Sequence, residues 1–367
     1  MNRSVVPASA HRLPHSVVLA ALIPLAAVLA LTGSCELLVM RPPAPGPHAV
    51  FDEVWTFADT HYSYFDLKEI DWDAVRAQYR PLVRRGMTDV ELFDLLADML
   101  YELRDGHVNL RSPFDLSRYW EWYLDHPPNF DGALLEREYF RGDQEYAGPF
   151  VLYDFLDTRE QNIGYARYAS FADAVTAAHL DYLFERFAGR DGLIIDVRNN
   201  GGGSSSNGYR IAGRFVTERT VRGFQEYKDG PGRDDFTPPQ EVVIAPPASG
   251  PRWSKPVVVL TNRSSYSATN LFVALVKGLP GVTVMGDTTG GGGGIPAFTE
   301  LSNGWIVRVS AHRLSVADWL GAGEWRDVEL GVDPDVEVHM AAAGEAGNED
   351  GDRDTIIETA LQLLAGP

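Results

Sequence analysis

Two turns, each directly after an apolar strand-like run, hold the residues of this 367-residue chain that could do covalent chemistry. Ser267 follows the run Val257–Leu260 and precedes a helical pattern from Leu271 to Lys277. A strand–turn–helix connection exposes a hydroxyl at the positive end of a helix dipole, which suits a nucleophile whose product is an anion. The second turn, Asn199–Gly203, follows the run Gly192–Val197, and its glycines let a ligand approach backbone N–H groups.

The glycine turn differs from the loops that bind nucleotide phosphates. No Lys-Ser or Lys-Thr pair follows Gly201-Gly202-Gly203, and no GxGxxG pattern occurs in the chain. Backbone N–H groups of such a turn can instead stabilise an oxyanion. The sequence contains neither paired cysteines nor a calcium-binding loop, so we expect no metal and no other cofactor.

The elements that position these turns alternate between strand and helix over residues 162–367, a pattern that predicts an α/β core with a closing C-terminal helix. Gly192–Val197 is apolar almost throughout, as expected for a strand buried on both faces of a parallel sheet. Upstream, residues 49–111 predict an N-terminal helical subdomain. One of its helices begins with a capping box at Thr88, and Gly106 is expected to end that helix in a left-handed conformation.

Residues 112–161 between these regions predict an aromatic-rich insertion. The cluster Tyr119–Tyr123 could belong to a lobe that contacts substrate, or it could pack within an irregular insertion. Packing is favoured, because single exposed aromatic residues are common in folded proteins. Further on, Val221–Val243 is polar and contains proline and glycine, which predicts a surface hairpin.

The first 34 residues have the anatomy of a secretory signal peptide, with basic residues before an uncharged run from Val17 to Leu31. A membrane span needs about 20 residues, and this run is shorter. An uncleaved anchor helix is the alternative. Cys35 is the single cysteine, and its place after small residues resembles a bacterial lipobox, which implies lipid attachment to its sulfur. An ordinary unpaired cysteine is the alternative.

Residues 35–48 then predict a lipidated, proline-rich linker that is stiff and extended. We therefore expect an exported cell-envelope protein that is lipid-anchored at the periplasmic face of the outer membrane. The chain has 51 acidic and 32 basic residues and a net charge of −19. This charge argues against binding of nucleic acid and against adsorption to anionic lipid, so membrane contact is expected only through the N-terminal lipid.

Several segments resemble the C-terminal processing (tail-specific) serine peptidases and the related tricorn-core peptidases. In family order they are Leu193–Gly203, Val257–Phe272, Gly286–Gly293 and Gly331–Asp335, preceded by a helical region that ends in Asp105-Gly106-His107. The resemblance implies an α/β catalytic core of the Clp-protease/crotonase type behind an N-terminal helical subdomain. The stretch from Arg111 to Gln161 is too short for a PDZ-like domain, so recognition of a substrate C-terminus by such a domain is not implied.

The resemblance assigns the nucleophile to Ser267, because Asn262–Ala268 matches the family pattern Asn-x-x-Ser-x-Ser-Ala. It implies that the N–H groups of Gly202 and Ala268 form the oxyanion hole. Tyr266 departs from the family, which usually has a small residue before the nucleophile.

The chain also lacks the lysine base of the processing peptidases. Its position falls on Gly292, within the glycine run 290–294. Lys277 cannot easily replace that lysine, since it lies ten residues along the helix from Ser267, or about 15 Å. A Ser–Lys mechanism therefore does not fit this sequence.

The tricorn-like branch of the family instead has a histidine base after the N-terminal helices, where His107 stands. Histidine, with an unperturbed pKa of about 6.5, can take the serine proton and return it to the leaving amine. The alternative is a structural histidine at a helix–strand junction, and His312 is a weaker candidate base. For the acid that orients His107, the resemblance leaves Glu324, Asp327 and Glu329, of which we take Glu329.

The sequence thus favours a secreted serine endopeptidase that forms an acyl-enzyme on Ser267, with His107 as general base and a protein or peptide as substrate. A catalytically inactive family member that binds an apolar ligand or peptide is the first alternative. An esterase-type serine hydrolase is the second. The sequence leaves the cleavage preference and the oligomeric state open.

Overall fold

Helices dominate the start of the protein and strands follow, as the hydrophobic patterns predict. The computed structural model describes residues 46–155, 162–317 and 325–366, without the side chains of residues 141–143. The helices are α1 (Pro47–His61), α2 (Trp72–Tyr79), α3 (Asp89–Tyr101), α4 (Glu121–Leu124), α5 (Gly132–Glu138), α6 (Ala177–Arg186), α7 (Ser205–Ala212), α8 (Ala268–Val276) and α9 (Thr355–Ala365). Short 3-10 turns lie at Arg80–Leu82 and Gly213–Phe215.

The strands of the described residues form three sheets. They are β1 (Asn109–Arg111), β2 (Phe140–Ala147), β3 (Phe150–Phe155), β4 (Ile163–Tyr168), β5 (Gly192–Asp196), β6 (Thr220–Tyr227), β7 (Gln240–Ile244), β8 (Val257–Thr261), β9 (Val282–Gly286), β10 (Pro296–Glu300), β11 (Ile306–Ser310), β12 (His312–Ala317), β13 (Trp325–Asp327) and β14 (Val336–Glu337).

The main sheet has the order β14-β9-β8-β5-β4-β3-β2. Strands β14, β9, β8, β5 and β4 are parallel, and β3 and β2 continue the sheet as an antiparallel hairpin. Every residue of β5 is buried, and the strand sends Leu193 to one hydrophobic cluster with Phe272 of α8 and Ile194 to another with Ile356 of α9. Helices therefore cover both faces of the sheet, which explains the apolar run predicted as a two-sided buried strand.

The hairpin β2–β3 lies within the segment 112–161 that the sequence interprets as an insertion. It pairs with β4 through β3, so part of that segment extends the main sheet. The predicted surface hairpin Val221–Val243 forms β6 and β7, but β6 also pairs with β12 in a four-stranded sheet. This hairpin is therefore built into the molecule and does not stand alone at its surface.

The N-terminal helices pack on the third sheet, β1-β11-β10. Their core includes Phe51 of α1 and Leu96 of α3, which share a buried cluster with Val307 and Val309 of β11. The capping box at Thr88 is confirmed, since Glu91 N–H donates to Thr88 Oγ1 and Thr88 N–H donates to Glu91. Because β1 follows directly after this helical region, the region delivers residues 105–108 to the sheet.

The prediction for Gly106 was wrong. Helix α3 ends at Tyr101, and the residue with a left-handed backbone is Arg104, at φ 47°. Gly106 is needed for space instead, since a Cβ there would lie 2.7 Å from Trp122 Nε1 and 2.8 Å from Tyr266 Oη.

A buried ion cluster lies beneath the turn after β5. Arg198 pairs with Asp196 at 2.6 Å and with Asp354 at 2.8 Å, and all three side chains are fully buried. Asp354 also caps α9, and Tyr165 Oη donates to Asp196. Removing one member of such a cluster typically costs about 3–5 kcal/mol, because an uncompensated charge remains buried. The cluster thus fixes the start of the Asn199–Gly203 turn.

Three predictions fall outside the described residues: the signal peptide at residues 1–34, the lipid-bearing Cys35 with most of the linker 35–48, and Glu324 as an orienting acid. Within the described ranges, no helix has the length and apolar character needed to cross a membrane.

Candidate active site

Ser267 occupies the residue immediately before α8, at the end of a turn that leaves β8. Its backbone has φ 59° and ψ −119°, a conformation that costs a non-glycine residue on the order of 1–3 kcal/mol. Two hydrogen bonds hold it: Ser267 N–H donates to Gly291 O at 2.8 Å, and Tyr266 N–H donates to Asn200 O at 3.0 Å. The strained turn places the Ser267 hydroxyl at the N-terminal end of α8, as the sequence predicts.

His107 reaches this serine from the N-terminal region, 160 positions earlier. Its Nε2 lies 2.9 Å from Ser267 Oγ. The backbone of His107 is fixed on both sides, because its N–H donates to Asp105 Oδ1 at 2.7 Å and its carbonyl accepts from Arg308 Nε at 2.9 Å. The histidine and the serine are therefore brought together by tertiary structure alone.

Burial lowers the pKa of His107 to about 4. The charge of Asp105 acts in the opposite direction, whereas Arg308 and Arg118 lower the pKa further, and the backbone of Gly294 raises it. His107 is consequently neutral at physiological pH, the state that a general base requires. Its Nδ1 has no hydrogen-bond partner among the described side chains and backbone groups.

The glycine turn packs directly against the serine. A Cβ on Gly202 would lie 2.8 Å from Ser267 Cβ and 2.9 Å from Ala268 N, and Gly202 has φ 97°, so only glycine fits there. Gly202 N–H donates to Asn200 Oδ1 at 3.0 Å. In contrast, the N–H groups of Ala268 and Gly203 have no acceptor within the described part of the chain.

The acid candidates lie close to the pair but do not bind the imidazole. Glu329 is buried, and its Oε1 accepts from Lys68 Nζ at 2.7 Å. Burial, together with the charge of Asp105, raises the pKa of Glu329 to about 8. Asp327 accepts from Glu329 N–H at 2.7 Å. No hydrogen bond joins His107 Nδ1 to either acid in the described structure.

The position of the missing lysine is filled by the tyrosine that precedes the nucleophile. Gly292 has φ 73°, and a Cβ there would lie 2.4–2.8 Å from the Tyr266 ring. The ring stacks on Trp122 at 4.1 Å and contacts His107 edge-on at 5.0 Å. One member of the aromatic cluster 119–123 is thus packed in the site, with no space for a lysine side chain at position 292.

Lys277 is held away from this site. Its Nζ pairs with Asp335 Oδ1 at 2.7 Å and donates to Asp333 O at 2.8 Å. This arrangement agrees with the expectation that Lys277 does not replace the family lysine.

A cavity of about 510 Å³ opens beside Ser267, Ala268 and Gly203. Its other lining side chains are Ser205, Tyr209, Gln225, Tyr227, Glu241, Val242, Val243, Leu271, Ile295, Pro296, His312 and Leu314. His312, the weaker candidate base, lies in this lining and not against Ser267. Its Nδ1 accepts from Ile295 N–H at 3.4 Å, and its Nε2 lies 3.3 Å from Gln225 Oε1. Burial lowers the pKa of His312 to about 4, so this wall of the cavity is uncharged.

The sequence missed Lys68 and the hairpin residue Gln225. Lys68 lies 261 positions from the Glu329 it contacts, and no spacing rule connects them. Gln225 belongs to the predicted surface hairpin. The cavity can be recognised only once strand β6 of that hairpin is known to pair with β12.

Sequence comparison finds two families along the chain. A sequence model of peptidase family S41 matches residues 162–338, and one of the tricorn protease C1 domain matches residues 44–101. A solved structure from Parabacteroides merdae ATCC 43184, described only as a candidate peptidase, is 44% identical with a TM-score of 0.78. That alignment covers 87% of this chain and 97% of the other. The predicted fold class and family resemblance are confirmed.

Two curated relatives are longer than this chain. Tricorn protease homolog 1 of Streptomyces coelicolor is 25% identical over 405 residues, covering 88% of this chain and 36% of its own length. The carboxy-terminal processing protease of Bacillus subtilis is 29% identical over 189 residues, covering 51% of this chain and 37% of its own length. The chain therefore spans well under half the length of either relative.

Proposed function

This chain belongs to peptidase family S41, and from that premise we propose that it is a serine endopeptidase with Ser267 as nucleophile and His107 as general base. The observation that carries the proposal is the separation of 2.9 Å between His107 Nε2 and Ser267 Oγ. A neutral histidine at this distance can accept the serine proton as the oxygen attacks a carbonyl carbon.

The reaction would proceed in two halves. In the first, Ser267 Oγ bonds to the substrate carbonyl carbon while its proton passes to His107 Nε2. The tetrahedral adduct then expels the leaving amine, which takes that proton. In the second half, a water attacks the acyl carbon as its proton passes to His107 Nε2. The tetrahedral adduct then expels Ser267 Oγ, which takes that proton back, and the acid product leaves. The Asp105 carboxylate favours the transient imidazolium, since its charge raises the pKa of His107.

The oxyanion would be stabilised at the N-terminal end of α8. Ala268 N–H is free to donate there, and the dipole of α8 has the right sign. Gly202 N–H, the second donor implied by the family resemblance, would have to leave Asn200 Oδ1 first. Gly203 N–H needs no such exchange, and Gly203 lines the same cavity as Ser267.

The orientation of His107 is proposed to depend on several residues. Glu329 can serve His107 only indirectly here, because its carboxylate is bound by Lys68. Asp105 acts on the backbone N–H of His107 and on the charge of its ring. We therefore assign the orientation of His107 to this buried group of residues and not to a single carboxylate.

The substrate is proposed to be a protein or peptide with an uncharged side chain at the residue that enters the cavity. Apolar groups such as Leu271, Ile295 and Leu314 line this space, and His312 stays neutral within it. Glu241, the acidic residue of the lining, is exposed and can remain in water. A buried charge without a partner would cost several kcal/mol, which disfavours acidic and basic side chains there.

The two alternative functions, a binding module and an esterase, explain fewer features of this site or differ only in substrate. A binding module that has lost catalysis does not require a serine in a strained conformation within 2.9 Å of a neutral histidine. An esterase would share the chemistry and differ only in substrate, so peptide and ester substrates must be compared directly. We also retain the proposal of export and lipid attachment at Cys35, which mass spectrometry of membrane-fraction protein would test.

A fluorophosphonate probe tests the nucleophile, since it labels activated serines. The wild-type protein should be labelled on Ser267 and should cleave casein or a peptide library, whereas Ser267→Ala should lose both. Ser264→Ala is the matched control, because Ser264 lies in the same turn without contacting His107, and it should retain labelling. A wild-type protein that remains unlabelled while a known serine hydrolase reacts would overturn the proposal.

A further inference from the structure

Lys68 is a buried lysine that the proposed reaction does not use. It lies between α1 and α2 with its side chain 5% exposed. Its Nζ donates to Glu329 Oε1 at 2.7 Å and to Arg104 O at 3.1 Å, and it lies 3.6 Å from Asp105 Oδ2. The rings of Tyr62 and Tyr64 complete its surroundings, at 5.8 and 5.7 Å.

One partner of Lys68 leads to the histidine. Asp105 Oδ1 accepts from the backbone N–H of His107, and Asp105 Oδ2 accepts from Ser310 Oγ at 2.8 Å. The carboxylate is thus held from two sides, and through it Lys68 fixes the segment that carries the base.

The other partner leads to the serine. Glu329 O accepts from Gly292 N–H at 3.0 Å, and Glu329 Oε2 accepts from Gly294 N–H at 3.4 Å. The same glycine run supplies Gly291 O, which accepts from Ser267 N–H at 2.8 Å. Through Glu329, Lys68 therefore reaches the loop that holds the nucleophile in its strained conformation.

We infer that Lys68 is a positioning residue: it joins the segment bearing His107 to the loop bearing Ser267 and so sets the distance between the two reacting groups. This inference rests on the proposed roles of Ser267 and His107. A mismatch of about 1 Å between such groups can cost on the order of 100-fold in rate. The tie formed by the Lys68 contacts to Asp105 and Glu329 should therefore have a measurable effect.

Lys68 is not itself a base for Ser267. Burial alone would lower its pKa, but Asp105 and Glu329 raise it above the ordinary lysine value, so the ammonium keeps its proton. Its charge also balances two buried carboxyl groups. Without it, Asp105 and Glu329 would face each other with no cation in contact, because the ion pairs found for both acids among the described residues are with Lys68.

The test compares Lys68→Met, the double variant Lys68→Met with Glu329→Gln, and Lys255→Met. Methionine keeps much of the lysine length without charge. Lys255 is a control because its Nζ binds the carbonyls of Ala188 and Arg190 and lies over the Trp253 ring, none of which belongs to the proposed active site. We expect Lys68→Met to lower kcat roughly 100-fold with little change in KM. The double variant should regain part of the thermal stability, since only Asp105 is then left without its cation, but kcat should stay low because the tie is still missing.

A second readout does not depend on catalysis. The His107 imidazole can be followed by NMR with 15N-labelled histidine, assigned by its absence in His107→Gln. Lys68 offsets the charge of Asp105, the carboxylate that raises the pKa of His107, so its loss should raise the apparent pKa of His107 in both Lys68 variants, while Lys255→Met leaves it unchanged.

The inference is overturned if the double variant recovers kcat to within about threefold of wild type, or if the His107 titration does not move in either Lys68 variant. If Lys68→Met does not fold, the double variant carries both readouts. If the wild-type protein has no hydrolase activity, the proposed function fails, and the NMR titration still decides whether Lys68 acts on His107.

Discussion

Two buried histidines lie beside the glycine run 290–294, and they have the same electrostatic character. Burial lowers the pKa of both His107 and His312 to about 4, and the backbones of Gly294 and Gly293 respectively oppose that shift. Their hydrogen bonds differ. His312 has partners on both ring nitrogens, whereas His107 has Ser267 Oγ on Nε2 and no partner on Nδ1 among the described residues.

The comparison shows that a shifted pKa does not by itself identify a base. The partners of His312 are the Ile295 N–H on Nδ1 and the Gln225 amide on Nε2, so neither ring nitrogen faces a nucleophile. His107 instead has Nε2 on the hydroxyl of a strained serine, which is the contact that the proposed general base requires. Under the proposed function, His107 is the reactive histidine and His312 the structural one.

The largest expected effect comes from making the same substitution at both histidines. Glutamine keeps a hydrogen-bonding amide but cannot take a proton, so His107→Gln should lower kcat/KM by about 10²–10⁴-fold. His312→Gln should change it only a few-fold, since the introduced amide oxygen can still accept from Ile295 N–H. Both variants are measured on one peptide substrate, after circular dichroism has shown that they are folded. Equal losses of kcat/KM would contradict the assignment of His107 as base.

A smaller effect is expected on the pH dependence of the wild-type enzyme. With a pKa of about 4, His107 is neutral through mildly acidic pH, so kcat/KM should stay level down to about pH 5 and fall near pH 4. A histidine with the ordinary pKa would be neutral in roughly 3% of molecules at pH 5.

Stability must be followed in the same experiment. The pKa values of both histidines are depressed in the folded state, so between about pH 6.5 and pH 4 the unfolded chain binds more protons than the folded chain. The free energy of unfolding therefore decreases as the pH is lowered through this range. The profile is therefore measured only where circular dichroism shows the native state. An acid limb near pH 6.5 in folded protein would mean that a more exposed group is the base.

The region around Ser267 could be predicted from sequence because its geometry is local. An apolar strand, a short turn and a helix specify where the hydroxyl lies, and the turns after β5 and β8 must meet because parallel neighbours share an edge. His107 required the family resemblance. Nothing in its own neighbourhood distinguishes it from a structural histidine, and its reach to Ser267 depends on packing of the N-terminal helices on β11.

The remaining features depend on contacts that no local pattern encodes. Gly106 has the sequence position of a helix terminator. Glycine is required there because Trp122 and Tyr266, which belong to other segments, leave no space for a larger side chain. The polar hairpin of β6 and β7 looks like surface structure until β12 pairs with it and places Gln225 against His312. Lys68 and Glu329 are joined only by the complete fold.

The smallest expected effect concerns the absent lysine. Gly292→Lys should not create a Ser–Lys dyad, because its Cβ would overlap the Tyr266 ring that also supports His107. Such overpacking typically costs about 1–3 kcal/mol in the free energy of unfolding, beyond the cost of the left-handed backbone. Gly304→Lys is the matched control: it has φ 83° and nothing within 4 Å of its Cβ, so it carries the backbone cost alone. Denaturant unfolding of the two variants isolates the overlap, and Tyr266→Ala should remove it when combined with Gly292→Lys. The prediction is contradicted if Gly292→Lys is no less stable than Gly304→Lys and if Gly292→Lys combined with His107→Gln is active. The lysine then fits, and Tyr266 does not exclude it.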